Sequence, residues 1–392
     1  MTTQADPVKQ TDLLKRYQYG ADYITDYEEF RKKILNKTVI PHQVEFQAAS
    51  PRKEICWLKC PWCYGLSATD TGERLTRERA VEIMKQIAAG GVRKVIFAGY
   101  ATDPLYCDYL EDLLAVSVDN GQIFGFNTKA IKTSARLLEI LSTPTVAPKS
   151  YISISVDAGS NEVYNDAHAV ENPKSRIYDR VVDNVSKLAK ARAKGAWFDL
   201  SATYLINAHN NSKDEVSKFI RDFRDAGCNL LRFTFPQLPK DFVPAAGIIP
   251  SKRDVLTYTS DLTDLIQSAS TPECPVLLVD ADSTHDIFRK PRTVPCFASF
   301  IYPTVGFDGW LYHCSQSSAP NFRAMALGNL ATSDFWDLYY NYDAQNLPEH
   351  LRGCAKKMEA TGCRCDRKEH ITNAGVISSG AFSDLIGPLE TA

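Results

Sequence analysis

The sequence contains no run of about 18 apolar residues, the least that crosses a bilayer as a helix, so no membrane span is expected. Its first residues, Met1 to Asp12, are polar and lack the apolar core of a secretory signal. The chain therefore reads as cytosolic. An excess of charge of either sign is missing as well. A formal net charge of -2 over 392 residues leaves no electrostatic footprint for nucleic acid or an anionic membrane, both of which favour clustered Lys and Arg. Neither is expected as a partner. Low-complexity tracts and internal repeats are absent, and 44% hydrophobic with 23% charged residues is an ordinary globular composition. Disorder is not expected outside the termini.

What the chain does have is cysteine. Eleven thiols need a reason, because cytosolic thiols stay reduced and rarely build disulfide frameworks. Cys56, Cys60 and Cys63 fall within eight residues, and Cys296, Cys314, Cys354, Cys363 and Cys365 lie in the C-terminal hundred. Such clustering fits metal or cluster ligation. Cys107, Cys228 and Cys274 have no close cysteine neighbours and read as small buried hydrophobes.

Between residues 42 and 235, short β-rich runs alternate with amphipathic helical stretches, the pattern that makes parallel sheets through βαβ crossovers. Six strands are expected: His42 to Gln47, Lys94 to Ala98, Gln122 to Asn127, Tyr151 to Val156, Trp197 to Ile206 and Leu230 to Thr234. Apolar residues recur at helical spacing between them, as in Ile177, Val181, Val185 and Leu188, or Val216, Phe219, Ile220 and Phe223. Thr76 reads as an N-cap for the first such helix and Gly90-Gly91 as its stop. The fold class is α/β, a partial (βα)6 TIM-like barrel followed by a small cysteine-rich cluster-binding domain. The expected segments are an N-terminal extension (1–41), the barrel (42–245), a connecting helix and strand (246–290) and the cysteine-rich domain (291–392).

The first cysteine cluster lies just after the first strand, in Cys56-Trp-Leu-Lys-Cys60-Pro-Trp-Cys63-Tyr-Gly65. Three thiolates on one loop can hold three corners of a cubane and leave the fourth iron open. A zinc site would ask for a fourth ligand, normally from a second Cys-x2-Cys pair, and the sequence has none of that form. The CxxxCxxC spacing, with the aromatic Trp62 directly before the last cysteine, resembles the signature of the radical S-adenosylmethionine superfamily. That resemblance implies a 4Fe–4S cluster whose open iron chelates S-adenosylmethionine, and an external electron donor such as flavodoxin or ferredoxin. It also implies a 5′-deoxyadenosyl radical that takes hydrogen from an unactivated C–H bond.

Further positions follow from the resemblance. Tyr64 and Gly65 are expected near the adenine, and Gly99 stands where the family has a Gly-Gly-Glu type turn. Tyr100 departs from that pattern, leaving Asp103 to supply a carboxylate for the cofactor amino group or to be a plain turn residue. Ser153, Ser155 and Asp157 resemble the strand end that contacts the ribose, and alternation puts the three on one face. Asn127 and Arg232 are weaker candidates. Tyr100, Tyr204, Asp280, Asp282 and His285 near strand ends are places to look for an acid, base or hydrogen donor.

In the C-terminal segment, Asp308-Gly309 is a hairpin turn signal that carries Cys314 toward Cys296. Gly309 to Cys314 and the Leu327-Gly-Asn-Leu330 stretch, expected as a turn, resemble the SPASM and twitch extensions of the same superfamily. Five cysteines are too few for two auxiliary clusters. One is expected, a 4Fe–4S centre held by Cys296, Cys314 and two of Cys354, Cys363 and Cys365, with structural zinc as the alternative. His313 and His350 read as surface or packing residues.

Three functions stay open on the sequence. The leading one is C–H tailoring of a peptide or related natural product by crosslinking, oxidation or epimerisation. The second is a small-molecule dehydrogenase or epimerase on a sugar or cyclitol, favoured by how short residues 1–40 are for a leader-peptide-binding domain. The third, of another class, is a zinc-stabilised binding protein without chemistry.

Overall fold

The computed structural model describes residues 24–49, 56–63, 65, 69, 71–99, 102–236, 250–279, 295–353, 365 and 367–386. Seven parallel strands form the frame: β1 (Val44–Gln47), β2 (Lys94–Ala98), β3 (Ile123–Thr128), β4 (Tyr151–Ser155), β5 (Asp199–Leu205), β6 (Leu230–Thr234) and β7 (Val276–Leu278), paired in that order. The six expected strands are present within about two residues of their expected ends, and β7 extends them by pairing with β6 from Leu231↔Val276 onward.

The crossover helices are α2 (Arg77–Ala89), α3 (Leu110–Asp119), α4 (Ala135–Leu141), α5 (Asn161–Ala167), α6 (Ile177–Lys194), α7 (Lys213–Asp225) and α8 (Lys252–Ser268), preceded by α1 (Tyr27–Leu35). Their starts follow from local chemistry. Side-chain oxygens of Thr76, Ser134, Ser160, Ser212 and Ser251 accept the amide hydrogens three residues on, and each such cap is worth about 1 kcal/mol. Gly90 ends α2 for a packing reason too: a Cβ there would sit 2.0 Å from the Trp336 ring.

Strand alternation sorts the two faces of the sheet. Tyr204 and Phe233 pair across β5 and β6 and pack on Phe219 of α7, with ring centroids 4.9 and 5.4 Å away. Ile152, Ile154, Leu200, Phe97 and Phe124 are likewise buried under helices, and a fully buried side chain of that size contributes about 1.5–3 kcal/mol. The opposite, inner face is polar. Asn127, Ser153 and Ser201 lie side by side across β3, β4 and β5, and Ser155, Thr203 and Arg232 across β4, β5 and β6.

After β7 the chain returns to the other edge of the sheet. Strand β8 (Thr304–Val305) follows the short helix α9 (Ala298–Ile301) and pairs parallel to β1. Strands β9 (Trp310–Tyr312) and β10 (Ala326–Asn329) then add antiparallel. The cysteine-rich segment thus grows out of the barrel's own sheet. The Leu327-Gly-Asn stretch, expected as a turn, is strand β10, with an irregular register between Ala326 and Gly328. Gly328 has φ +158° and a Cβ there would meet Leu338 at 2.4 Å, so a glycine is needed inside that strand.

Helices α10 (Phe335–Tyr339), α11 (Arg367–Ser378) and α12 (Ser383–Ile386) complete the described chain. Long polar side chains fasten this segment to the barrel: Arg79 of α2 donates to the carbonyls of Leu330 and Ser333 at 2.8 and 2.7 Å, and the Tyr340 hydroxyl donates to Val39 O at 2.9 Å. Among the described residues, no helix is long and apolar enough to cross a membrane.

Candidate active site

The loop after β1 brings Cys56, Cys60 and Cys63 to the C-terminal ends of the parallel strands, where α/β folds bind ligands. A turn with Cys63 N–H donating to Cys60 O at 3.0 Å folds the last two cysteines together. Cys60 is buried, while Cys56 and Cys63 are half-buried. Trp62 is buried in a T-shaped contact with His168, 5.7 Å between ring centroids. The neighbouring Trp57 is exposed, and its indole N–H donates to the Tyr106 hydroxyl at 2.9 Å.

The three thiols share one electrostatic neighbourhood. Burial pushes Cys60 up to about 12; Lys129 acts against this, and charge on Cys63, Asp157 or Cys56 adds to it. Cys56 is raised for the same first reason, burial, with Asp103 and Cys63 among the charges that add to it. Iron binds thiolates, not thiols, so in the bare protein Cys56 and Cys60 are reluctant acids that a bound cation would help to ionise. Among the described residues, no three Cys, His, Asp or Glu side chains converge on a single-ion site. A cubane asks for a different arrangement, with its thiolates on separate irons, and three thiols of one loop that feel one another's charge suit it.

Two residues at this mouth were not singled out from the sequence. Lys129, directly after β3, places Nζ 2.8 Å from Asp157 Oδ2. Burial works against its charge, but Asp157 first, then Cys60 and Cys63, hold its pKa above the usual lysine value. A lysine at the C-terminal end of an inward-facing strand was the available signal. His168, fully buried, places Nδ1 3.2 Å from Cys60 Sγ. Nothing local to its sequence marks it.

The other expected positions can be placed one at a time. Gly99 is exposed at the end of β2, and a Cβ there would lie 1.6 Å from Thr102 O, so only glycine permits the loop to fold back. Asp103 caps the turn at Pro104–Tyr106. Its carboxylate accepts from Leu105 N at 2.9 Å, Thr128 Oγ1 at 2.8 Å and Lys129 N at 2.5 Å, which ties the β2 loop to the end of β3. Burial pushes its pKa up against those three hydrogen bonds.

Ser153 and Ser155 do share the inner face of β4, both half-buried. Asp157 leaves their row, because its φ of +62° turns the chain. Its carboxylate instead accepts from Leu205 N and Lys129 Nζ, both at 2.8 Å. Arg232 reaches Thr203 Oγ1 at 3.4 Å, and that hydroxyl lies 3.4 Å from Ser153 Oγ. Asn127 is exposed on the same face. Tyr204 faces the other way, packing on α7 with its hydroxyl donating to Asn210 O at 2.6 Å. Tyr64, Tyr100, Asp280, Asp282 and His285 lie outside the described residues, whereas Gly65 is described and buried.

Of the second cysteine set, Cys296, Cys314 and Cys365 are buried, and Cys354 and Cys363 lie outside the described residues. Cys314 follows β9, its Sγ 3.7 Å from Ser317 Oγ. Cys296 and Cys314 border one phenol: Tyr302 is held well above its usual pKa, first by burial, then by Glu369 and both thiols. His350 packs among Phe300, Tyr342 and His313, with centroids 5.3, 5.3 and 5.5 Å away. Cys107, Cys228 and Cys274 are buried among apolar residues.

Residues 51–223, just under half of the chain, match the sequence model of the Radical SAM superfamily. Those residues carry a radical SAM domain, a kind of domain that works with S-adenosylmethionine and a 4Fe–4S cluster. The S-adenosylmethionine-dependent nucleotide dehydratase of Lacinutrix mariniflava is 22% identical over 245 residues, covering 56% of this chain and 48% of that one. The chain thus spans about half the length of the curated relative it matches. The fold resembles Streptococcus suis SuiB bound to S-adenosylmethionine, with TM-score 0.57 and 14% identity over 91% of this chain and 75% of that one. It also resembles anSMEcpe with bound AdoMet, with TM-score 0.54 and 15% identity over 88% and 96%. Both have also been solved with peptides, SuiA and Cp18Cys. At such identities the likeness is one of fold.

Proposed function

We propose that Cys56, Cys60 and Cys63 hold a 4Fe–4S cluster with one open iron, and that the enzyme removes a hydrogen atom from a C–H bond of a peptide or related natural product. The observation that carries this reading is the set of three mutually influencing thiols on the loop after β1, with the Lys129 ammonium beside them. When bound, the cluster would supply the electron that splits S-adenosylmethionine into methionine and a 5′-deoxyadenosyl radical. The protein's part is to hold and shield. Lys129 offsets negative charge that three thiolates bring into a buried place, Trp62 closes the loop against water, and Asp103 keeps the β2 loop and the end of β3 in register. The hydroxyl row Ser153, Ser155 and Thr203 offers the cofactor ribose donors and acceptors on the inner face.

A peptide substrate is supported by the two fold relatives that were solved with one. An auxiliary cluster on Cys296, Cys314 and two of Cys354, Cys363 and Cys365 would accept the electron left after hydrogen abstraction, and the shared Tyr302 neighbourhood of the first two favours it. The nucleotide-directed curated relative and the polar inner face, Arg232 included, favour a second reading, a small-molecule substrate. Anaerobic preparation should yield a brown protein with about eight irons per chain, four for each cluster. Reduction with dithionite should then form 5′-deoxyadenosine. A colourless, zinc-only protein would sink the reading. Deuterium transfer from labelled candidate peptides or nucleotides into 5′-deoxyadenosine separates the two substrate classes.

A further inference from the structure

His168 ends α5 and touches three consecutive parts of the cysteine loop. Its carbonyl accepts from Lys59 N–H at 3.0 Å. Its Nδ1 lies 3.2 Å from Cys60 Sγ, and its ring makes a T-shaped contact with Trp62. The ring is fixed from behind as well. Nε2 lies 3.0 Å from Val156 O and 3.4 Å from Lys129 Nζ, and the Tyr164 ring packs on it at 4.3 Å. With no exposed surface the imidazole has one orientation: with the proton on Nε2 and donated to Val156 O, Nδ1 accepts from the Cys60 thiol, and toward a thiolate the proton stands on Nδ1 while Nε2 accepts from Lys129 Nζ.

The arrangement joins opposite parts of the barrel mouth. Cys60 belongs to the loop after β1, whereas His168 belongs to the helix after β4, so the middle thiol is oriented by chain over one hundred residues away. A sulfur held at one rotamer loses less freedom on ligation, and groups outside the ligand set tune a metal centre by hydrogen bonding and packing.

We propose that His168 is a positioning residue of the first cluster site: through Nδ1 it sets the orientation of the Cys60 sulfur and stays in contact with it when the cluster is bound. This rests on the reading of Cys56, Cys60 and Cys63 as cluster ligands. Three substitutions separate the contact from mere filling. Asparagine places its amide where Nδ1 was; glutamine places it where Nε2 was; leucine fills the space without a polar atom.

Reconstituted wild type, His168→Asn, His168→Gln and His168→Leu would be compared by iron content, by the electron paramagnetic resonance spectrum of the reduced cluster, and by redox titration. Asn should keep the wild-type spectrum and midpoint. Gln and Leu should change the reduced-to-oxidised ratio at a fixed potential about tenfold, which is 59 mV for one electron. If Gln matches wild type while Asn does not, or if all three variants match wild type, the proposal is overturned. A measurement on the unmutated protein guards against variants that fail to fold: isotope-labelled histidine should show a nitrogen hyperfine coupling to the reduced cluster, and its absence overturns the proposal. If wild type itself loads no iron on the three cysteines, the ligand reading has failed instead.

Discussion

The two cysteine sets are built in different ways. Cys56, Cys60 and Cys63 come from one loop at the end of one strand, with a lysine, a histidine and two aspartates arranged around them by β2, β3, β4 and α5. Cys296, Cys314 and Cys365 come from separate places along a C-terminal segment that leans on the barrel through β8, Arg79 and Tyr340. Their lysines differ too. Lys129 is neutralised by Asp157 and holds its proton more tightly than usual. Lys94 is pushed down to about 8, first by burial and then by Lys368, which itself sits 3.5 Å from Ser315, the residue after Cys314. A local motif needs only one loop closure to assemble; a dispersed set needs the whole domain in place first.

The sharpest break of this comparison is a pair of cysteine substitutions. Cys60→Ala should lower 5′-deoxyadenosine formation by more than about 100-fold, the scale of losing an essential catalytic group. Cys314→Ala should leave uncoupled S-adenosylmethionine cleavage within about threefold of wild type while removing the iron of the proposed second centre, about half of the total. Equal loss of cleavage in both would mean that the two sets form one site.

Next in size is Lys129→Met. Removing one member of a buried ion pair strands Asp157, and the expected loss is about 3 kcal/mol of unfolding free energy in the metal-free protein, read by urea denaturation. Arg79→Ala is the counterpart on the other side. It removes the hydrogen bonds to Leu330 and Ser333 and should cost about 1–3 kcal/mol, with iron lost from the second centre before the first.

The smallest effect is on pH dependence. Because the folded-state pKa of Lys94 is lowered to about 8, the unfolded chain binds the extra proton more readily between there and the ordinary lysine value of about 10.4. Stability of the metal-free protein should therefore rise with pH across that window, by at most about 1.4 kcal/mol per pH unit, and Lys94→Met should flatten the profile. Lys129, with its pKa raised, has the opposite sign: its contribution is present at neutral pH and is lost only as pH climbs above the lysine range. A thermal melt series from pH 7 to 10 separates the two variants.

Much of the barrel was legible because its signals are local. Hydrophobic runs marked the strands, Lys94 to Ala98 and Leu230 to Thr234 to the residue, and Thr76 and Gly90 marked the ends of α2. The Leu327-Gly-Asn stretch misled because a glycine at φ +158° was needed inside a bulged strand rather than in a turn. Asp157 looked like the third member of a polar row, and alternation would have made it so, but a left-handed φ is not announced by a side-chain pattern. Tyr204 stood near a strand end, yet which face it takes is decided by α7 packing against it.

By itself the sequence determined the strand and helix order and the grouping of three thiols on one loop, because periodicity, capping and short spacings are properties of neighbours along the chain. Only the tertiary structure decided what surrounds those thiols. Lys129 and Asp157 meet across two strands, and His168 reaches Cys60 from the far side of the barrel mouth. The structure also decided that the cysteine-rich hairpin joins the barrel's sheet beside β1. Each of these is a contact between segments far apart in sequence, set by sheet order and burial, and no local pattern encodes it.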